Sequence, residues 1–277
     1  MQREAFALSL GEGLTLRGNW HADPSAGAGQ PILLFCHGFK GFKDWGSFPY
    51  VADELAKRGI VTLRFNFSCN GVGESESEFD ELEKFGINTY AREIADLNAL
   101  WEAIRSGKLV LPACADTNKL FVLGHSKGGA DAILFGAGHP EVAGIITWNG
   151  VADVNLFDEA LRSQIAQNGI GYISNARTGQ DMPVTRVVIE DVDQNREAYD
   201  LLRKVAEMNQ RLCIIQGRKD FARLVKGAER LKQADEDAVL HWIEEGDHTF
   251  NARHPFAGTT PQLEEAIRLT ADFVLRR

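Results

Sequence analysis

The chain has 277 residues, 44% of them hydrophobic and 25% charged, with a formal net charge of −9, ordinary for a globular protein that buries a substantial core; one large α/β domain, with or without an insertion, is the default expectation. The acidic excess excludes a nucleic-acid partner, because phosphate binding needs clustered Lys and Arg. Met1 to Leu8 lack the apolar core of a secretion signal and no later run approaches the length of a membrane span, so a cytoplasmic protein without a membrane partner is expected.

In chain order, residues 4–10 and 14–20 flank Gly11-Glu12-Gly13 and predict an antiparallel hairpin at a sheet edge. Continuous apolar runs then follow at 31–36, 60–67, 119–123, 143–148, 211–216 and 238–243. Segments with apolar residues at three- and four-residue intervals lie at 48–58, 89–104, 129–137, 221–234 and 261–275. Apolar strands alternating with amphipathic helices mean a parallel sheet covered on both faces, the α/β class. Residues 1–150 and 211–277 form that core, and residues 151–210 break its rhythm. So long an interval predicts an inserted lid, with a helix at 156–165 and a short hairpin of 171–173 with 184–189; a plain helical connection is the alternative.

The run at 119–123 ends in Gly124-His125-Ser126-Lys127-Gly128-Gly129 and a helix follows at once. A strand that reverses into a helix around one serine is a nucleophile elbow. Glycine stands two residues to either side, where a Cβ would strike the neighbouring strand or helix. The free N–H groups of the helix N-terminus then face the serine, where a developing oxyanion would sit.

Serine needs a base, and the base needs a third group to orient it. Asp220 follows the run ending at Gln216, and His248 follows the run ending at Ile243, both at carboxyl ends of strands, where open parallel sheets keep their sites. Alone, Asp220 is a helix N-cap and His248 a solvated loop histidine; together with Ser126 they make a catalytic set. Asp247 is a poorer orienter because it adjoins the histidine, and Glu244 and Glu245 are the reserves. The two oxyanion donors are expected to be the backbone N–H groups of Lys127 and of Phe39, which follows His37-Gly38. His37 is expected to shape that loop, and the Lys127 and Lys219 side chains to be solvated.

Other features carry less. Gly71-Val72-Gly73 lacks the third glycine of a dinucleotide fingerprint, and Cys69 has no elbow around it. Cys36, Cys69, Cys114 and Cys213 show no C-x-x-C spacing and read as free thiols. The histidines offer no zinc spacing, so no metal is expected.

Phe35 to Gly41, Arg64 to Phe67, Gly124 to Gly129, Gln216-Gly217-x-x-Asp220 and Gly246-Asp247-His248 stand in register, and through them the chain resembles the α/β-hydrolase superfamily over nearly its whole length. The lid region looks most like bacterial feruloyl and cinnamoyl esterases and related acyl-ester hydrolases. The resemblance implies an eight-stranded, mostly parallel sheet with a small lid, a Ser-His-Asp triad and no cofactor. Such relatives commonly carry Asp and Arg where this chain has Asn66 and Cys69. The expected activity is hydrolysis of small-molecule carboxylic esters through an acyl-enzyme. An amidase, peptidase or thioesterase on the same three residues is the near alternative, and a non-catalytic ligand-binding module the distant one. Assembly, a homodimer included, is left open.

Overall fold

A computed structural model describes residues 1–75, 77–175 and 178–276. The edge hairpin forms as β1 (Gln2–Gly11) and β2 (Leu14–Ala22). The parallel strands are β3 (Gln30–Cys36), β4 (Val61–Asn66), β5 (Ala115–His125) and β6 (Val142–Trp148). An isolated hairpin of β7 (Ile170–Ser174) and β8 (Asp181–Thr185) precedes the last two, β9 (Arg211–Gly217) and β10 (Val239–Ile243). The main sheet has eight strands in the order β1-β2-β4-β3-β5-β6-β9-β10. Only the pairs β1/β2 and β2/β4 run antiparallel, so the eight-stranded, mostly parallel sheet is as expected.

Burial on both faces explains why these strands are uniformly apolar. In β3, Ile32, Leu34 and Cys36 enter one core layer while Leu33 and Phe35 enter the other. The first layer is closed by α3 (Tyr90–Arg105), α4 (Lys127–Gly138), α7 (Leu201–Glu207) and α8 (Ala222–Ala234), and the second by α1 (Phe48–Lys57) and α9 (Pro261–Leu275). A short α2 (Leu82–Gly86) and α7 escape the periodicity reading because each spans only two turns or fewer. The chain runs from β3 to β4 on one side and returns to β5 on the other. The carboxyl ends of β3 and β5 thus border the crevice where such sheets hold their sites.

Between β6 and β9 lie α5 (Glu159–Asn168), the β7/β8 hairpin, α6 (Arg186–Gln194) and α7. Two boundaries differ from expectation. Helix α5 begins later than residue 156 because Asp158 caps it, accepting the Leu161 N–H, and it runs on to Gly169 in the left-handed conformation. Residues 186–189 are helical and not a strand: Val188 and Val192 bury one face at a four-residue interval, and Val187 points to solvent. Phe157, Ile165, Val184 and Val188 give this segment a small core of its own, against which Phe39 packs.

One buried carboxyl beneath the sheet's carboxyl ends gives a stability test. Asp96 on α3 accepts hydrogen bonds from the Ser68 N–H (2.6 Å) and Oγ (2.9 Å). Burial outweighs those donors and pushes its pKa up to about 6. The folded state therefore favours the neutral form, a contribution fully present below about pH 4 and lost as pH rises through about 6. Asp96→Asn keeps both partners without the charge. It should raise stability at pH 7.5 by on the order of 1–3 kcal/mol and change little near pH 4, measured by urea unfolding at the two pH values.

Candidate active site

Ser126 lies between β5 and α4 with φ 57° and ψ −119°, a left-handed backbone that an L-residue holds only when its surroundings impose it. Several bonds do so: the Ser126 N–H donates to the Trp148 carbonyl (2.9 Å), and its own carbonyl accepts from Gly129 (3.0 Å) and Val151 (3.1 Å). The flanking glycines are obligatory on steric grounds. A Cβ on Gly124 would stand 1.9 Å from the Gly128 carbonyl oxygen, and one on Gly128 would stand 2.4 Å from that of Cys36.

The structure brings the three candidate residues together. The His248 Nε2 lies 3.1 Å from Ser126 Oγ, and its Nδ1 lies 2.9 Å from Asp220 Oδ1. Asp220 also accepts from the Phe221 N–H (2.7 Å) and from Gln216 Nε2 (2.9 Å), which leaves its carboxylate buried and fully engaged. In this line a proton can pass from Oγ to Nε2 while Asp220 holds the imidazole. The reserves are elsewhere: Glu244 and Glu245 pair with Arg218 and Lys219 at the surface, and Asp247 accepts from the Thr249 and Asn251 N–H groups within its own turn.

Other residues that hold this set have no sequence signal of their own. Asn149, itself at φ 50°, donates to the carbonyls of Asp247 (3.1 Å) and His248 (3.0 Å) and accepts from the Gly217 N–H (2.7 Å). One side chain thus ties the ends of β6, β9 and β10. His125 donates from Nε2 to the His248 carbonyl (2.8 Å), and burial pushes its pKa down to about 3, so it is a neutral prop.

The loop after β3 supplies the other wall. His37 donates to the Gly38 carbonyl (3.0 Å) and accepts from the Phe67 N–H (3.4 Å); burial lowers its pKa to about 4, in keeping with a shaping role. A Cβ on Gly38 would lie 2.9 Å from the Ser126 Cβ, so the loop passes directly over the serine. Asn66 accepts from the Lys43 N–H (2.7 Å), and Asn70 donates to the Gly41 carbonyl (3.3 Å). Both asparagines therefore anchor the loop, whereas Cys69 is buried with its thiol pKa raised by that burial. Among the described residues, neither the Phe39 nor the Lys127 amide has a hydrogen-bond partner.

The Lys127 side chain corrects the solvated reading. It is buried on the Tyr90 ring (3.9 Å), ion-paired with Glu93 and 3.3 Å from Asp131. Burial opposes the ammonium, but Asp131 and Glu93 outweigh it and raise its pKa. Asp131 is pushed well above the usual carboxylate range by burial and by Glu93, with Lys127 opposing them. A lysine beside a nucleophile reads as surface until α3 is known to bring Glu93 beneath it. Lys219 is exposed as expected.

Ser126 and His248 open onto a cleft of about 160 Å³ whose wall includes Phe39, Trp45, Phe48 and Thr249. Phe42 and Trp148, by contrast, belong to the core, and Tyr172 is exposed on β7. Larger clefts of about 470 and 580 Å³ lie beside α7 and between β1 and α3, and Ser126, Asp220 and His248 line neither.

Residues 28–251 match the family model described as Hydrolase_4: Serine aminopeptidase, S33. No curated protein matches the chain. Among solved structures it is similar to Est1E from Butyrivibrio proteoclasticus with ferulic acid bound, at 18% identity and a TM-score of 0.70 over 98% of each chain. It is also similar to the esterase domain of a Rhodothermus marinus protein (16% identity, TM-score 0.67, 99% and 98% covered). A dienelactone hydrolase from Anabaena variabilis ATCC 29413 shares 17% identity at a TM-score of 0.60, with 98% of this chain and 95% of that one covered. At these identities the likeness establishes the fold, that of an α/β hydrolase.

Proposed function

The chain belongs to the Hydrolase_4 family, serine aminopeptidase S33, and from that premise we propose that it cleaves small carboxylic esters through an acyl-enzyme on Ser126. The observation that carries this reading is the unbroken line Ser126, His248, Asp220, at 3.1 and 2.9 Å, on a left-handed elbow beside two unpaired amides. His248 takes the Ser126 proton as Oγ attacks the ester carbonyl, and the Phe39 and Lys127 amides receive the oxyanion. The proton then passes to the departing alcohol, and a water activated by the same imidazole releases the acid. Every proton in the cycle has a group on this chain, so the reading calls for no cofactor.

We assign residues 151–210 the role of a lid, supported by the packing of Phe157 on the Phe39 ring at 5.7 Å. No helix among the described residues is long and apolar enough to cross a membrane. We also favour the cytoplasm as its location, because Cys36, Cys69, Cys114 and Cys213 are all buried free thiols, as a reducing compartment keeps them.

The family's description as serine aminopeptidase supports amide cleavage as a second reading. Matched ester, thioester and amide substrates of one acyl group separate the two. The ester should give the highest kcat/KM, by about tenfold or more over the amide; an amide turned over as fast as its ester would move the assignment to a peptidase or amidase.

A further inference from the structure

Ser126 and His248 line the cleft of about 160 Å³ together; the two larger clefts and the small space between Phe39, Tyr90 and Lys127 touch neither residue. Two buried rings, Trp45 and Phe48, stand in its wall 5.5 Å apart. Each is backed by another ring, Trp45 by His254 at 6.0 Å and Phe48 by Phe35 at 4.6 Å, so the wall is fixed before a substrate arrives. Lys40, His125 and Thr249 also line the cleft, but their polar atoms bond the protein itself. Lys40 Nζ donates to the Ser174 carbonyl (3.0 Å), His125 Nε2 to that of His248 (2.8 Å) and Thr249 Oγ1 to that of Ala252 (2.8 Å). A ligand in the cleft therefore meets the reacting pair and packed rings.

The chemistry of acyl transfer says which half of an ester belongs there. The Ser126 Oγ bonds the carbonyl carbon and gives its proton to His248 Nε2; the bond from that carbon to the alcohol oxygen then breaks, and the departing oxygen takes the proton. That oxygen must lie within hydrogen-bond reach of Nε2, so the alcohol occupies space that His248 lines. A dry apolar cavity of about 150 Å³ accepts benzene, which makes this cleft the size of a single ring. A polyol or sugar placed in it would exchange water for aromatic carbon and leave hydroxyls unpaired.

We propose that the cleft is the leaving-group subsite and that it selects esters of apolar alcohols bearing a single ring, arylmethanols above all, against esters of polyols and sugars. The assignment rests on the ester-hydrolase reading above.

Hydrolysis of methyl, benzyl, naphthylmethyl and glyceryl acetates by the full chain, followed by proton release, tests it with one acyl group throughout. Benzyl acetate should exceed both the methyl and the glyceryl ester in kcat/KM by about tenfold or more, and the naphthylmethyl ester should fall at least about threefold below the benzyl ester. Trp45→Phe takes one ring of the indole from the wall and should raise the ratio of naphthylmethyl to benzyl ester at least about threefold. As a second measurement, alcohols compete with water for the acetyl-enzyme formed from vinyl acetate, and an incoming alcohol occupies the site from which one departs. Benzyl alcohol and glycerol at equal concentration should yield benzyl acetate over glyceryl acetate by about tenfold. Benzyl acetate no better than the methyl or glyceryl ester, or a ring that helps in methyl phenylacetate but not in benzyl acetate, overturns the subsite while ester hydrolysis stands. A naphthylmethyl ratio that Trp45→Phe leaves unmoved overturns the single-ring limit. If no ester is cleaved and Ser126 takes no fluorophosphonate, the hydrolase reading falls and the subsite with it.

Discussion

Ser126→Ala is expected to lower kcat on any cleaved ester by about five to six orders of magnitude and to leave the fold in place. Among the described residues the Oγ has one hydrogen-bond partner, His248 Nε2 at 3.1 Å, so its removal unpairs no other group there. The left-handed backbone at φ 57° is imposed by main-chain bonds to Trp148, Gly129 and Val151, and alanine inherits all of them. Fluorophosphonate labelling read by intact mass should give one adduct on the wild type, mapped to Ser126, and none on the variant. The thermal midpoints should agree within about 2 °C. A variant that retains activity within tenfold of wild type would sink the proposed mechanism, and a wild type that binds esters without turnover would favour the non-catalytic module.

Lys127→Met is expected to destabilise the protein by about 3–5 kcal/mol, the usual cost of stranding one charge of a buried pair. Glu93 would be left 3% exposed beside Asp131, which has no exposure at all. Its remaining donor would be Asn88 Nδ2 at 2.6 Å. The same change made together with Glu93→Gln removes both charges, and the pair of substitutions should recover at least half of the loss. Guanidinium unfolding of the four proteins in this cycle measures the coupling. If Lys127→Met alone costs less than about 1 kcal/mol, the ammonium is not held as described.

The elbow and the two strand-end residues were readable because each is forced locally. Gly124 and Gly128 answer to backbone atoms within a few residues or on the adjacent strand, and Asp220 and His248 follow apolar runs whose ends are visible in the chain. The strands were readable to within a few residues for the same reason. By contrast, residues 186–189 combine β-branched side chains that suit either a strand or a helix, and only the burial of Val188 with Val192 decides for α6. Asn149 and the pairing of Lys127 with Glu93 depend on loops and helices far apart in sequence meeting at one point. No spacing rule records such meetings, so an ordinary asparagine and an apparent surface lysine concealed two supports of the site.

The long interval between β6 and β9 joins two strands that are neighbours in the sheet, and α7, packed among α4 and α8, already performs the crossover that such neighbours require. Everything from α5 to α6 is a passenger on that connection. It reaches the loop over the serine through Phe157 against Phe39 and through Lys40 Nζ donating to the Ser174 carbonyl (3.0 Å). The passenger can therefore change in length and in sequence without disturbing the Asn149 knot, whose side-chain bonds run to Asp247, His248 and Gly217 and to no residue of that segment.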